Sequence, residues 1–446
     1  MLEQRSEPMG LRNFAAGRGV QTRAHDLIPG GCHTYAKGDD QFPLLAPPFI
    51  HRGLGSHVWD LDDNEFIEYG MGLRSVTLGH AHPRVLEAVS RQLLLGSNFG
   101  RPSPIESECA AQFLSLVPTA EMVKFCKDGS HALDGAIRLA RAYTGRDGVA
   151  YCRDHPFFST SDWFIGTTPM RAGTLDATHA LSYAFSYNDI DSVKALFDQH
   201  PDHISCVVLE PARLEEPQDD YLHQIKQLCH AHGALLIFDE MITGFRWHNA
   251  GAQHLYHVTP DLSAFGKGMA NGFALSALAG RRSIMELGGL LHPGDRVFLL
   301  STTHGAETHA MAAAIATMKI YQDEPVIQRL HQTGSRLREG ITEVTRQEGV
   351  DNHIQCIGRD CCLLYTTRDP DGAPSQAFRA LFLQELIRHG ILAPSFVVSN
   401  SHTSDDIDIT IEAVRRAARV YRMALEEGVD HYLVGDPVKP VLRARN

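Results

Sequence analysis

Ala234-Leu-Leu-Ile-Phe-Asp-Glu240 is a short apolar run closed by two carboxylates, and downstream of it Asp261-Leu-Ser-Ala-Phe-Gly-Lys-Gly-Met-Ala-Asn-Gly272 sets Lys267 between two glycines. A continuous apolar run of that length reads as a strand, Ala234–Phe238, buried on both faces. The helical period Tyr221–His232 precedes it and closes on Gly233. The same alternation extends in both directions. Ile105–Val117 reads as a helix, Met122–Cys126 as a strand, His131–Tyr143 as a helix, and Val149–Cys152 and Ile204–Leu209 as strands. Further strands are expected near Leu275–Ala279 and Val297–Ser301. Helices alternating with short aliphatic strands predict an α/β fold, a mostly parallel central sheet flanked by helices.

The flanks differ from this block. Pro29–Gly55 is extended and rich in Pro and Gly, and a hairpin is expected between Val58–Leu61 and Glu65–Tyr69 across Asp62-Asp63-Asn64. The C-terminal part reads as helices Ala306–Tyr321 and Val326–Gln347, a strand Cys361–Tyr365, and helices Ser375–Gly390 and Ser404–Glu427. The expected division is an N-terminal segment, 1–75, packing with a small α+β domain, 321–446, beside a large domain, 76–320.

Composition bounds the function. A chain of 446 residues can bury a substantial core, and a formal charge of -12 without a basic stripe argues against nucleic acid as a partner. Nine scattered cysteines with no CxxC pair support neither a disulfide framework nor a zinc ribbon. The N-terminus lacks an apolar signal segment and no apolar run could span a bilayer, so a cytoplasmic protein with no membrane partner is expected.

Parallel sheets place chemistry beyond the C-terminal ends of their strands, where Asp239 and Glu240 sit. A buried carboxylate there can hold a pyridine nitrogen protonated. Lys267 adds an amine whose flanking glycines permit close approach of a cofactor. The pairing points to a Schiff-base enzyme using pyridoxal phosphate. Gly129 and Ser130 fall at a helix N-terminus, where free N–H groups suit a phosphate, although Ser130 there could equally be an N-cap. Gly266-Lys-Gly268 is not part of GxxxxGK[ST], and no GxGxxG follows an expected strand, which weighs against a nucleotide-binding oxidoreductase. Asp60-Leu-Asp-Asp-Asn64 lacks the glycine and terminal glutamate of a calcium loop. His80-Ala-His82 and His254-Leu-Tyr-His257 lack a third ligand, so no metal is expected.

Over nearly its whole length the chain resembles the class III, fold-type I aminotransferases that bind pyridoxal phosphate, and most of all their glutamate-1-semialdehyde aminomutase branch. The resemblance runs through Pro29-Gly-Gly31, Leu78-Gly-His-Ala-His-Pro83, Asn98-Phe-Gly100, Gly129-Ser130, Ala136 to Asp147, Leu209-Glu-Pro211, Leu235 to Arg246 and Leu392-Ala-Pro-Ser395. It implies Lys267 as the internal-aldimine lysine, Asp239 as the partner of the pyridine nitrogen, and Gly129 and Ser130 at the phosphate. Glu210 matches a Glu-Pro motif near the cofactor. Thr302 matches a threonine that reaches the phosphate from a neighbouring subunit, which implies a homodimer with shared active sites.

Three departures bear on the substrate. Where the branch has Gly-Tyr-His-Gly with the tyrosine on the cofactor ring, this chain reads Arg153-Asp-His-Pro-Phe-Phe158, so the ring cover passes to His155 or Phe157. Ser-Gly-Thr-Glu becomes Asp128-Gly-Ser-His131, bringing a carboxylate towards a phosphate site. The stretch after Ser395 lacks the aminomutase glutamate, and Lys37 stands where those enzymes have an arginine. The expected activity is transfer of an amino group from a small-molecule donor to a carbonyl acceptor, with a sugar or polysaccharide precursor as the substrate that similar branch members suggest. Intramolecular aminomutation is the alternative, and a non-catalytic regulatory protein keeping the fold is the alternative from another class.

Overall fold

The computed structural model describes residues 12–155, 159–305 and 307–445. The described residues gather into two compact units, one within 12–73, 78–81 and 329–441, the other within 74–77, 82–328 and 442–445.

The second unit is built on seven strands: β1 Met122–Cys126, β2 Gly148–Cys152, β3 Ser182–Phe185, β4 Ile204–Leu209, β5 Leu235–Asp239, β6 Leu262–Phe265 and β7 Ser276–Gly280. They lie in the order β1-β7-β6-β5-β4-β2-β3. All neighbours are parallel except β7, which runs antiparallel to both β1 and β6. Two reversals restore direction, so β1 ends on the same edge as β6, β5, β4 and β2.

Strand alternation divides the core between the two faces. Leu235 and Ile237 pack with Val208, Leu262 and Leu278 against the helix α1, Gly129–Thr144, through its Leu133, Ala136, Ile137 and Ala140. Leu236 and Phe238 join Val207 and Leu209 against Phe197, Leu222 and Ile225. Each such side chain contributes about 1.5–3 kcal/mol on burial. The period of two then directs Asp239 to the α1 side and Glu240 away from it.

Val297–Ser301 is not a strand. Leu300 adopts a left-handed φ of 50°, Leu299 and Leu300 pack into the α1 face, and Val297 N donates to Leu287 O instead of joining a sheet edge. Two strands, β3 and β6, were not expected; each has only four residues, too few for a periodic pattern to stand out.

The first unit holds a four-stranded sheet. Ile50–Leu54, His57–Asp60 and Glu65–Glu68 form an antiparallel meander, and Ile391–Leu392 pairs parallel with Glu65–Glu68. The expected hairpin is present, its turn fixed by Asp60 Oδ1, which accepts from Asp62 N and Asn64 N. Leu364–Thr367, three residues later than the expected strand at Cys361, pairs with Ile354–Ile357, because Asp360–Cys362 winds into a 3₁₀ turn first. Helix Ser404–Glu427 starts at a Thr403 and Asp406 capping box. No helix among the described residues is long and apolar enough to cross a membrane.

Candidate active site

The C-terminal edge of the seven-stranded sheet carries a row of polar groups. β5 ends at Asp239, which is 4 % exposed and whose Oδ1 accepts from Met241 N at 2.9 Å. Burial pushes its pKa above the ordinary carboxylate value, and the charges of Lys267 and Arg213 pull it back. Glu240, fully buried, serves the backbone: its oxygens accept from Ala252 N and Gln253 N, both at 2.8 Å, and from the Thr243 hydroxyl. Even with these donors, burial carries its pKa up to about 7.

Lys267 follows β6 and opens a short 3₁₀ turn, Lys267–Ala270, with a left-handed φ of 44°. A lysine held there stores backbone strain, which marks a fixed side-chain direction. The flanking glycines are required by space. A Cβ on Gly266 would lie 2.4 Å from Met241 Cε and 2.5 Å from Ser276 Oγ; on Gly268 it would lie 2.7 Å from Thr77 Oγ1. Met241 also lies 3.1 Å from where a Cβ of Gly129 would stand. One methionine thus joins the lysine loop to the N-terminus of α1, two residues after Asp239.

At that N-terminus the cap is Asp128, not Ser130. Asp128 Oδ1 accepts from His131 N at 3.0 Å, and its Oδ2 lies 3.1 Å from His131 Nδ1. The carboxylate that the sequence brought towards a phosphate site is therefore turned onto its own helix and an imidazole. Ser130 Oγ accepts from Thr160 N at 3.2 Å and so keeps its own proton to donate.

Beyond β4, Glu210 is 4 % exposed. The register that sets Leu209 opposite Phe238 carries Glu210 alongside Asp239. Arg213 Nη1 lies 3.5 Å from Glu210 Oε1. Burial raises the Glu210 pKa to about 7, against the opposing charge of Arg213 and with the like charge of Asp239. Beyond β2, His155 is buried, its Nδ1 donating to Glu210 O at 3.1 Å and its ring 4.4 Å from that of Tyr187. Burial, aided by Arg213, lowers the His155 pKa to about 4, so the ring is neutral near pH 7. Asp154 turns outward, accepting from Tyr187 N at 2.8 Å.

Lys267, Asp239, Glu210, Gly129, Ser130 and His155 are thus carried on one edge of one sheet. Thr302 lies exposed on the loop leading to Gly305. Phe157 lies outside the described residues. Sequence reasoning passed over Arg213, Met241 and Tyr187; only Arg213, three residues after Glu210, left a signal in the chain. Among the described residues no group of three or more His, Cys, Asp and Glu could hold a metal ion.

These residues fit pyridoxal phosphate. A buried carboxylate suits a protonated ring nitrogen, an amine stands on a strained turn, and the first turn of a 16-residue helix begins with Gly129, where a side chain would crowd Met241. A family model for class-III aminotransferases matches residues 34–393. The chain belongs to that family. It is 35 % identical over 418 residues to a glutamate-1-semialdehyde 2,1-aminomutase of Acetivibrio thermocellus, covering 88 % of this chain and 95 % of the relative. Its fold matches the FumI protein of Sphingopyxis sp. MTA144, solved with pyridoxal phosphate, at TM-score 0.82 and 27 % identity over 92 % of this chain and 97 % of that one. An ω-transaminase from Sphaerobacter thermophilus matches at TM-score 0.81 and 27 % identity, over 91 % and 98 %. As a class-III aminotransferase the chain is a pyridoxal-phosphate enzyme acting on small molecules, with the fold-type I architecture of mostly parallel strands flanked by helices.

Proposed function

We propose that this class-III enzyme transfers an amino group from a separate donor to a carbonyl acceptor, with Lys267 and Asp239 as its catalytic residues. The observation that carries the reading is the strained Lys267 turn, closed to side chains on either side, next to a buried carboxylate on the neighbouring strand end. Pyridoxal phosphate, when bound, supplies an electron-accepting ring that makes the proton on the substrate carbon labile. The first turn of α1, at Gly129 and Ser130, would hold the phosphate through backbone N–H groups and the Ser130 hydroxyl. Asp239, whose carboxylate lies buried at the end of β5, would hold a proton on the ring nitrogen. Lys267 would hold the cofactor, and its amine would take and return the proton at the substrate carbon. His155, neutral and buried, walls the pocket beside Glu210 and keeps water out.

The second assignment is a homodimer in which Thr302 completes the partner's phosphate site. Its support is the exposure of Thr302 together with exposed apolar residues on the same unit, Leu94 at 88 %, Leu290 at 83 % and Leu291 at 86 %. An aminomutase reading has one observation in its favour, the name of the relatives at 31–35 % identity. The same groups serve that reaction, which differs in keeping the intermediate until the amine returns to the neighbouring carbon. The proposed donor is an amino acid or amine.

Borohydride treatment of the purified holoenzyme tests the reading. The visible cofactor band should bleach, and peptide mapping should find the reduced cofactor on Lys267. The same preparation should sediment at twice the 49.3 kDa chain mass and release a keto product from a separate donor. An adduct on another lysine, or a monomer, would remove the corresponding assignment; a rearranged amine without released keto product would favour aminomutation.

A further inference from the structure

The segment Ser301-Thr-Thr-His-Gly305, which presents Thr302, has no strand or helix to hold it. It is anchored at both ends instead. Before it, Leu299 and Leu300 pack into the α1 face. After it, the helix Thr308–Asp323 opens with Thr308 N donating to Ser97 O at 2.9 Å and Thr308 Oγ1 to Gly96 O at 2.8 Å. Between the anchors Asn98 Nδ2 donates to Thr303 O at 3.1 Å, and Thr302 stays exposed.

Glu307 ties this segment to the start of α1. Its Oε2 accepts from Lys127 Nζ at 2.7 Å, and its Oε1 accepts from His304 Nδ1 at 3.0 Å. Lys127 stands between β1 and α1, two residues before Gly129, and His304 stands two residues past Thr302. One carboxylate therefore joins the turn proposed for the phosphate of its own chain to the segment proposed for the partner's. The Lys127 and Glu307 side chains are 19 % and 23 % exposed, so their pair is better shielded than an open surface pair, which contributes little. The hydrogen bond from Lys127 holds the Glu307 carboxyl below its ordinary pKa, as a formed ion pair does. A loose segment would lose conformational freedom each time its hydroxyl met a ligand, whereas a segment already fixed does not.

We propose that Glu307 is a positioning residue: through Lys127 and His304 it fixes the segment carrying Thr302 in the form that meets the cofactor phosphate of the partner subunit. The proposal rests on the homodimer reading above, and Glu307 itself acts only through its neighbours.

The test titrates the apoenzyme with pyridoxal phosphate and reads affinity from the visible cofactor band. Thr302→Val should weaken binding about 10- to 100-fold, the scale of a hydrogen bond to a charged group. Glu307→Gln keeps the volume, removes the charge, and should weaken binding about 3- to 10-fold. The two losses should not add. In the Thr302→Val background Glu307→Gln should change affinity by less than about twofold, because the hydroxyl it positions is already gone. A carboxylate needed only for folding would weaken binding equally in both backgrounds, which would overturn the proposal. Mixed dimers locate the effect. With Lys267→Ala silencing the band of one chain, Glu307→Gln on that silenced chain should weaken the site that remains, and on the other chain should leave it unchanged. The opposite pattern would also overturn the proposal. An inert Glu307→Gln beside a weakened Thr302→Val would overturn it while sparing the homodimer reading. An inert Thr302→Val would remove the shared phosphate site and this inference with it.

Discussion

Asp406 in one unit and Asp239 in the other are buried to the same degree, 5 % and 4 % exposed, yet they hold their protons in opposite ways. Asp406 accepts from Ser56 Oγ at 2.9 Å, His57 Nε2 at 3.0 Å and Thr403 N at 2.8 Å. Burial works against its charge, but the imidazole of His57 and the other donors outweigh it and hold the carboxyl well below the usual range. Asp239 receives a backbone N–H from Met241, and burial leaves its pKa raised. Donors alone do not make the difference, because Glu240 accepts three hydrogen bonds and still stands at about 7. The difference is a cation within hydrogen-bonding distance. The fold supplies one to Asp406, a structural group that caps a 24-residue helix. For Asp239 the proposed role gives that place to the ring nitrogen of a cofactor, which would make the residue catalytic for the same reason that it is costly.

The largest effect that would break this contrast is on rate. Asp239→Ala should slow the donor half-reaction about a thousandfold, the scale of losing a preorganised electrostatic partner, while folding stability of the apoprotein stays level or rises. Stopped-flow absorbance and urea denaturation read the two quantities. A variant that transfers amino groups at a near-normal rate would strip Asp239 of its role, and one that is strongly destabilised would put it with Asp406.

Asp406→Ala should show the reverse. Removing one partner from a buried charged cluster costs about 3 kcal/mol of stability, with donor kinetics of the folded holoenzyme retained. The pH dependence has a definite sign. The folded pKa of Asp406 is depressed, so its contribution is present above the unfolded value of 3.8 and is lost as pH falls through the folded one. The His57 pKa is raised by its hydrogen bond to Asp406, so its contribution is present below 6.5 and is lost as pH rises through the folded value. The difference in urea midpoint between wild type and variant should be widest between those two values. A gap that grows steadily towards alkaline pH would show that His57 is not the cation of the cluster.

The two settings were unequally legible in the sequence. β4, β5 and the lysine loop declared themselves because fully buried strands read as unbroken apolar runs ending in polar residues. Lys267, Asp239, Glu210 and the Gly129-Ser130 pair all lie at such ends. What periodicity could not show was anything set by distant contact. Gly129 and Gly266 face one methionine, Asp128 turns onto His131, and His57 meets Asp406 across 349 residues of chain. Val297–Ser301 misled for the same reason: its pattern is that of a strand, but its leucines are taken by α1 and the backbone turns at Leu300.

Glu210 gives the smallest and most discriminating effect, since it stands between the two types: buried like Asp239, and paired with a cation like Asp406, but at 3.5 Å. Burial raises its pKa from 4.5 to about 7 in the folded enzyme. Between those values the folded state binds more protons than the unfolded one, so the contribution of Glu210 to stability falls as pH rises through that window. Glu210→Gln removes the charge that must be kept buried above pH 7. It also removes the long ion pair with Arg213, which subtracts from the gain. The variant should therefore gain on the wild type in thermal midpoint as pH is raised from about 4.5 to 7 and hold a constant offset beyond. Midpoints measured from pH 4 to 9 decide the matter. An offset that is flat across the window would mean that Arg213 already neutralises Glu210 as fully as His57 does Asp406, and an offset that grows towards acid would place Glu210 with the structural carboxylates.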